Sequence, residues 1–294
     1  MEMKSLKIVL ALTLSIIVSH VRAQVYINST KMLENLEEKV NTGLVKMEDI
    51  NKLYTTFHED KNNRKITFKT REAEKRELSP EDLFANRMPM VYMFLQVYES
   101  ARAGKMKING SGTAFPISED GYFLINSHMI DELGLGSGDP SKVDTSIHLI
   151  LSDYEGNILT IDSVVSYSKE ADIAIIKANT KGKKIQAIPL GQDLKAGASV
   201  FAITHPRGYY YYYSTGRVAR MTENDFGIMG RKMEITADYA AGSSGGPIFD
   251  SKGNIAGIVS LTKSFYYNQQ EQKNLQMVIK EAIPVSSIRN LINN

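Results

Sequence analysis

The sequence predicts an all-β protein, folded as barrels or as a sandwich. About ten short runs rich in β-branched and aromatic residues follow one another, and turn residues such as those at 119–121 and 252–254 separate them. No amphipathic helix lies between consecutive runs, which argues against a parallel α/β sheet. The predicted strands are 91–98, 113–117, 122–126, 146–152, 158–167, 173–178, 199–204, 232–237, 247–250 and 255–261.

Residues 24–87, which precede these strands, are charge-rich and predict a helical N-terminal arm. Apolar residues recur at helical spacing over 29–40, and a second helical stretch is predicted over 48–57. Ser79 has the position of an N-cap, with a proline directly after it. This segment shows no recognisable chemistry, so we expect an accessory arm or prodomain packed on the main body. A short closing helix is predicted over about 284–292.

The first 23 residues have the pattern of a cleaved export signal. A basic start at 1–7 precedes an apolar run of 11 residues at 8–18, and Val21-Arg22-Ala23 fits the small-x-small cleavage rule. The apolar run is short for a bilayer crossing. We therefore predict a periplasmic or secreted protein without a membrane span after removal of the signal, with an uncleaved anchor as the alternative.

Composition excludes several classes of site and partner. The whole chain has 35 Lys+Arg and 33 Asp+Glu, and removing residues 1–23 takes away three basic residues and one acidic residue, which leaves 32 of each. A neutral chain without a basic block predicts no nucleic-acid partner. The absence of cysteine excludes disulfides, cysteine-ligated zinc and thiol catalysis.

A glycine-rich loop at 242–247 contains the best candidate nucleophile, Ser244. The flanking glycines permit a tight turn whose backbone amides converge on one point, as an oxyanion site requires. The same loop fits the Gly-x-Ser-x-Gly elbow of the α/β-hydrolases, which needs a histidine after the serine. All five histidines precede Ser244, so that alternative is excluded: His20, His58, His128, His148 and His205.

The order histidine, aspartate, serine is available instead. His128 follows a predicted apolar strand, where a rigid strand end can orient an imidazole. Asp172 directly precedes the predicted strand 173–178, and a partly buried carboxylate there would need a donor such as an imidazole. Structural roles are expected for three other histidines, His58, His148 and His205.

Together these residues, each in its local sequence, resemble the trypsin-like serine peptidases, and particularly the bacterial HtrA-like (Deg) branch. The resemblance covers about residues 88–292. The segments that carry it are 112–115, 119–126, 171–176, 189–197, 242–247, 257–260 and 282–285.

The resemblance implies two perpendicular six-stranded antiparallel β-barrels within a peptidase domain at 88–294, with the active site in the cleft between them. The first barrel, about 88–190, would contribute His128 and Asp172. The second barrel, about 195–265, would contribute Ser244.

It also implies a function, that of an exported serine endopeptidase that cleaves protein or peptide substrates through an acyl-enzyme. Ser244 would attack, His128 would transfer the proton, and Asp172 would orient and stabilise the imidazole. The backbone amides of Gly242 and Ser244 would form the oxyanion hole. This chemistry needs no cofactor, and the dispersed histidines predict no metal site.

Two departures from the family pattern affect regulation and architecture. Ser243 stands where trypsin relatives have an aspartate that pairs with a newly formed N-terminus, so activation by that ion pair is not expected. Only 50 residues follow Ser244, and the PDZ domain that commonly follows HtrA peptidase domains is therefore not expected.

Three residues are candidates for the substrate pocket. Asp238 lies six residues before Ser244, the spacing at which trypsin places the acid at the base of its pocket for basic side chains. Ser260 ends the segment that resembles the pocket-lining strand. Thr262 stands where trypsin has glycine and would narrow the entrance, which favours smaller side chains.

Two alternatives to an active peptidase remain. The chain could be a catalytically silent scaffold that binds partners through the cleft, or a latent peptidase in which residues 24–87 block the cleft. The five consecutive tyrosines at 209–213 are interpreted as one strand with aromatic residues on both faces, with substrate binding as the alternative.

Overall fold

Twelve antiparallel strands in the described part of the chain close into two six-stranded barrels, which confirms the predicted fold class. The computed structural model describes residues 26–45, 61–134 and 140–293, together with Leu53 and Thr56. The predicted signal at 1–23 and most of the predicted helix at 48–57 lie outside the described residues.

The first barrel has the neighbour order β1-β2-β3-β6-β5-β4. Its interior is filled by apolar side chains from alternate strand positions, among them Phe94, Phe123 and Leu151. Its strands are β1 Tyr92–Ser100, β2 Lys105–Pro116, β3 Tyr122–Ile125, β4 Ile147–Ser152, β5 Ile158–Ser168 and β6 Ile173–Ala178.

The second barrel has the order β10-β11-β12-β9-β8-β7, and Val200, Ile248 and Val259 are buried in its core. Its strands are β7 Ser199–Thr204, β8 Tyr212–Thr222, β9 Lys232–Ile235, β10 Pro247–Phe249, β11 Ile255–Asn268 and β12 Lys273–Pro284.

The predicted end of this barrel near residue 265 was wrong, because β12 carries it to Pro284. The far ends of β11 and β12 form a hairpin whose side chains are mostly exposed. Its apolar residues Leu261, Phe265, Tyr267, Leu275 and Met277 are exposed, so this hairpin extends the barrel strands without adding to the buried core.

Four α-helices have both ends within the described residues: α1 Ser29–Asn41, α2 Pro80–Arg87, α3 His128–Asp131 and α4 Val285–Asn290. Helix α1 buries Leu36 and Val40 in an apolar cluster with residues of β1. Ser79 caps α2 as predicted, because its hydroxyl accepts a hydrogen bond from the Asp82 amide at 3.0 Å. None of the helices in the described part of the chain combines the length and the apolar character that a bilayer crossing requires.

The predicted helical arm is helical only in part. Between α1 and α2 the chain from residue 61 to 79 contains no α-helix, and it forms isolated β-bridges at Asn62 and Ile66. Its backbone bonds to the first barrel and to the end of the closing helix: the Asn63 amide donates to the Tyr167 carbonyl of β5, and the Ile66 amide donates to the Leu291 carbonyl directly after α4. This segment therefore packs on the first barrel and on the closing helix.

Asn254, in the turn before β11, attaches this segment to the second barrel. Its side-chain oxygen accepts from the Glu74 amide at 2.7 Å, and its side-chain nitrogen donates to the Glu74 carbonyl at 3.0 Å. The carboxamide thus pairs with the backbone as a neighbouring strand would.

We predict that Asn254→Ala loosens this segment, because it removes both hydrogen bonds. The free energy of unfolding should fall by about 1–2 kcal/mol in a urea titration. In the Ser244→Ala background, added trypsin should cleave at Lys75 or Arg76 faster than in the parent. Asn157→Ala is the matched control, because the Asn157 side chain bonds only within its own exposed turn. Equal cleavage rates in the two variants would contradict the prediction.

Candidate active site

His128 lies where the first barrel turns from strand to helix. Strand β3 ends at Ile125, and His128 is the first residue of α3. The backbone amide of His128 donates to Asp172 Oδ1 at 3.0 Å, and its ring Nδ1 lies 3.0 and 2.9 Å from the two carboxylate oxygens of Asp172. The same carboxylate thus holds both the backbone and the ring of His128.

Asp172 is placed by the neighbouring strand β6. Strands β3 and β6 are paired, with Ile125 opposite Ala174, so the end of β3 and the start of β6 meet at one edge. Asp172 has a φ of +61°, a left-handed backbone conformation that aspartate tolerates better than most residues. Its carboxylate also accepts from Ser127 Oγ at 3.2 Å.

Ser244 comes to this pair from the second barrel. Its Oγ lies 3.2 Å from Nε2 of His128, within hydrogen-bond reach. The Ser244 carbonyl accepts a hydrogen bond from the Thr113 amide of β2 at 2.8 Å. This backbone hydrogen bond fixes the position of the Ser244 loop relative to the first barrel. The structure therefore brings together the three residues predicted as a triad.

The electrostatics of His128 follow from burial and from Asp172. Burial of the ring opposes a positive charge, but the hydrogen bond and the negative charge of Asp172 outweigh it. The pKa of His128 therefore lies above its ordinary value. Because Nδ1 donates to the carboxylate, Nε2 of the neutral ring is the acceptor that faces Ser244.

The backbone at Gly242 and Ser244 leaves two amide groups available, as the predicted oxyanion hole requires. Gly242 has a φ of +91°, and a Cβ at this position would lie 2.7 Å from the His205 carbonyl oxygen, so only glycine fits. Within the described part of the chain, neither the Gly242 amide nor the Ser244 amide donates to a protein acceptor. Both donors are thus available to a ligand oxygen beside Ser244.

Asn126 is a residue that our sequence reasoning missed. Its fully buried carboxamide donates to the Asp172 carbonyl at 2.8 Å and accepts from the Gly245 amide at 2.6 Å. One side chain therefore joins the backbone beside the carboxylate to the loop of Ser244. The available signal was a polar amide at the end of an apolar strand, two residues before His128.

Lys232 is a second residue that sequence reasoning missed. Its ammonium nitrogen lies 3.4 Å from the Ala171 carbonyl oxygen and 3.5 Å from Ser260 Oγ. Burial lowers the pKa of Lys232, and the charge of Asp172 acts in the opposite direction. The predicted pocket residue Ser260 thus contacts a cation beside the triad.

The structure does not support the predicted pocket base. The Asp238 side chain is 78% exposed and forms an ion pair with Lys280 at 3.0 Å. The buried Tyr239 beside it bonds through its hydroxyl to the Leu261 and Glu281 carbonyls, and this anchors the loop with Asp238 pointing outward. With its charge paired and in solvent, Asp238 gives no basis for a preference for basic side chains. Thr262 is likewise exposed on β11.

Ser243, His205 and the tyrosines support the loop around Ser244. The buried Ser243 hydroxyl bonds to Thr204 Oγ1 at 3.0 Å. His205 is buried, and burial lowers its pKa to about 3, while its Nδ1 accepts from the Tyr211 amide. The interpretation of the tyrosine run as one strand was wrong in its first part: Tyr210 and Tyr211 form a turn, in which Tyr211 has a φ of +60°, and β8 begins only at Tyr212. The described residues include no cluster of three or more groups suited to a metal ion.

Comparison with known proteins identifies the family. A model of the trypsin-like peptidase domain matches residues 111–258, which is half of the chain. The chain belongs to this family. Similarity to Do-like and DegP-like proteases places it in the HtrA/Deg branch.

Among the relatives of this trypsin-like chain, Protease Do-like 5, chloroplastic, from Arabidopsis thaliana is 28% identical over 193 residues, which cover 62% of this chain and 56% of the relative. A probable periplasmic serine endoprotease DegP-like from Bartonella henselae is 30% identical over 160 residues, 53% of this chain and 29% of the relative. Serine protease HTRA1 from Xenopus tropicalis is 32% identical over 158 residues, 51% of this chain and 31% of the relative.

A solved structure shares the fold of this family member. The crystal structure of Deg5 superposes with a TM-score of 0.52 at 22% identity and covers 71% of this chain and 89% of that one. By sequence, the chain spans between 29% and 56% of the length of the three relatives described above.

We predict that His128 titrates above its ordinary value and that Asp172→Asn lowers its pKa, because the variant removes the negative charge that favours the imidazolium. NMR titration of the ring protons measures both values. A raised folded-state pKa stabilises the fold at pH below the unfolded value, and this stabilisation is lost as pH rises through the folded pKa. His148→Gln serves to assign the signals. An unchanged His128 pKa in Asp172→Asn would refute the electrostatic assignment.

Proposed function

We propose that this chain is an exported serine endopeptidase that hydrolyses peptide bonds in proteins through an acyl-enzyme intermediate. The observation that carries the proposal is the continuous hydrogen-bonded series Asp172, His128 and Ser244, with the two available amides of Gly242 and Ser244 beside it. Membership of the trypsin-like family and the HtrA/Deg relatives support it.

In the acylation step, Ser244 Oγ attacks the scissile carbonyl while Nε2 of His128 takes its proton. The Oγ to Nε2 distance of 3.2 Å permits this transfer once the substrate is bound. The carbonyl oxygen becomes an oxyanion and accepts hydrogen bonds from the Gly242 and Ser244 amides. His128 then donates the proton to the leaving amine, and the carbon–nitrogen bond breaks to leave the acyl-enzyme.

In the deacylation step, a water molecule takes the place of the departed amine. His128 removes a proton from this water, the hydroxide attacks the acyl carbon, and Ser244 Oγ is the leaving group. His128 returns the proton to Oγ, which restores the starting state. Throughout, Asp172 fixes the ring tautomer and stabilises the imidazolium from the Nδ1 side.

Protein substrates and export are part of this proposal. The DegP-like relatives carry the description periplasmic, and the pattern at residues 1–23 agrees with export. Other relatives are described as chloroplastic. A catalytically silent scaffold or a latent peptidase remains the alternative outcome of the test below.

The direct test of the function treats the purified protein with a fluorophosphonate probe and measures casein cleavage. We expect covalent labelling and cleavage in the parent and neither in Ser244→Ala, which lacks the nucleophile. Ser146→Ala is the matched control and should still be labelled, because this exposed serine bonds through its hydroxyl to Asp144 in its own turn. A parent that is neither labelled nor active would favour a silent or latent chain. Cleavage that survives Ser244→Ala would assign the nucleophile to another residue.

A further prediction concerns Asn126, which we propose as a positioning residue. Asn126→Ala frees the Gly245 amide and the Asp172 carbonyl, so the loop of Ser244 loses its alignment with His128. We expect kcat on casein-derived peptides to fall by about 10- to 100-fold with little change in KM. Thermal unfolding is measured in parallel. A fall in activity only near the melting temperature would indicate a structural role alone.

A further inference from the structure

A lysine side chain of the second barrel ends beside the turn at 169–172, here called the Asp172 turn. Lys232 is the first residue of β9. Its ammonium nitrogen lies 3.4 Å from the Ala171 carbonyl oxygen, which belongs to the peptide group directly before Asp172. Because the Asp172 turn joins β5 to β6 in the first barrel, this contact crosses the junction between the barrels.

Both peptide groups that flank Asp172 thereby contact a side chain. The carbonyl before it accepts a hydrogen bond from the Lys232 ammonium, and the carbonyl of Asp172 itself accepts one from the Asn126 side chain at 2.8 Å. Asp172 has a φ of +61°, a left-handed conformation that few residues with a side chain adopt. Lys232 therefore contacts the same turn as Asn126, but from the second barrel.

The second contact of the Lys232 ammonium is with a bulge in β11. Ser260 is the extra residue between the pairs that Val259 and Leu261 form with β12. Its Oγ lies 3.5 Å from the Lys232 nitrogen. A β-bulge changes the direction of a side chain, and bulges are common next to active sites. The ammonium ion thus has one acceptor in each barrel.

The charge of Lys232 is balanced by Asp172. Both hydrogen-bond contacts of the ammonium are with uncharged oxygen atoms. Burial lowers the pKa of Lys232, the charges of Asp172 and Glu281 raise it, and the charge of Lys263 lowers it. The Glu281 carboxylate is already paired with Lys263. The neutral ring of His128 leaves the charge of Asp172 uncompensated, so Asp172 is the carboxylate that Lys232 balances.

The other charged groups around His128 favour its protonated form. Burial disfavours a charge on the ring, whereas the carboxylates of Asp172, Glu132 and Asp131 raise its pKa. The proposed base must be neutral to accept the proton of Ser244, so this excess of negative charge restricts its use to higher pH. A cation beside the carboxylate of Asp172 opposes the effect, because it repels the imidazolium.

We propose that Lys232 is a positioning residue of the candidate active site: its ammonium ion fixes the Asp172 turn against the second barrel and opposes the positive charge of His128. This inference rests on the proposed peptidase function. Neither effect requires contact with the substrate. Lys232 therefore acts on turnover and on the pH range of activity, and it does not act on substrate binding.

The first experiment measures kcat/KM for a casein-derived peptide against pH in the parent and in Lys232→Met, which removes the charge. We expect the acidic limb of the profile, which reports protonation of His128, to move to higher pH by about half a unit. NMR titration of the His128 ring should show the same shift without substrate. Lys195→Met, which removes an exposed cation before β7, is the matched control and should change neither value. Unchanged values in Lys232→Met would overturn the proposed effect of the charge.

The positioning role is tested by separating kcat from KM on the alkaline side of that limb. Lys232→Met should lower kcat about 5- to 10-fold with little change in KM, because the Asp172 turn loses a hydrogen bond from the second barrel. Lys232→Arg keeps both the donor and the charge, so it should restore most of kcat and the parent pH profile. Lys232→Gln keeps a donor alone, so it should restore part of kcat but retain the shifted profile. A rise in KM alone, or an arginine variant no better than methionine, would contradict the proposal.

Failure of this inference is distinguishable from failure of the proposed function. A parent protein without casein cleavage and without fluorophosphonate labelling would remove the proposed function, and the inference that rests on it would fall as well. Normal labelling of the parent, together with equal His128 titration and equal kcat in Lys232→Met, would remove this inference alone. Thermal unfolding of each variant is measured in parallel, and the kinetic comparison is made well below the lowest melting temperature.

Discussion

The interaction on which the candidate site most depends is the pair of hydrogen bonds made by the buried Asn126 side chain. It holds the Asp172 backbone in the first barrel and the Gly245 amide in the second. The Thr113 to Ser244 backbone bond acts beside it. The two barrels also share an apolar cluster, which includes Phe115 and Ile175 of the first barrel and Phe201 and Phe249 of the second. This cluster holds the barrels together, and the polar contacts at the junction align His128 with Ser244.

Two backbone constraints complete the arrangement. Asp172 and Gly242 both have positive φ, one at the start of β6 and the other in the loop of Ser244. The first conformation accompanies the contacts of the carboxylate with the backbone amide and the ring Nδ1 of His128. The second occurs in the loop whose Gly242 and Ser244 amides donate to no protein acceptor in the described part of the chain. A positive φ costs free energy in a residue that has a side chain, and the surrounding hydrogen bonds and packing contacts offset this cost. This explains why site residues occur at strand ends, where the backbone can depart from the extended form.

Predictions were correct where the residues next to a position in the sequence indicated its structure. The order and spacing of His128, Asp172 and Ser244, each beside an apolar strand or a glycine turn, anticipated their meeting. The N-cap at Ser79 was predicted from the serine itself and the proline that follows it. The predicted end of the second barrel, near residue 265, was wrong because the outer hairpin has no buried face. The prediction that Asp238 forms the base of the substrate pocket was wrong. Its spacing from Ser244 along the chain does not determine whether its side chain points into the pocket or into solvent.

The sequence by itself determined the all-β class, the family and the three residues of the candidate triad. Strand alternation and glycine turns depend only on residues that are close together in the sequence. Only the tertiary structure decided that Asn126 bridges the two barrels and that Asp238 forms an ion pair with Lys280. The physical reason is the range of the interactions. Propensity and periodicity act within a few residues, whereas a hydrogen bond across more than a hundred positions exists only once both barrels have closed.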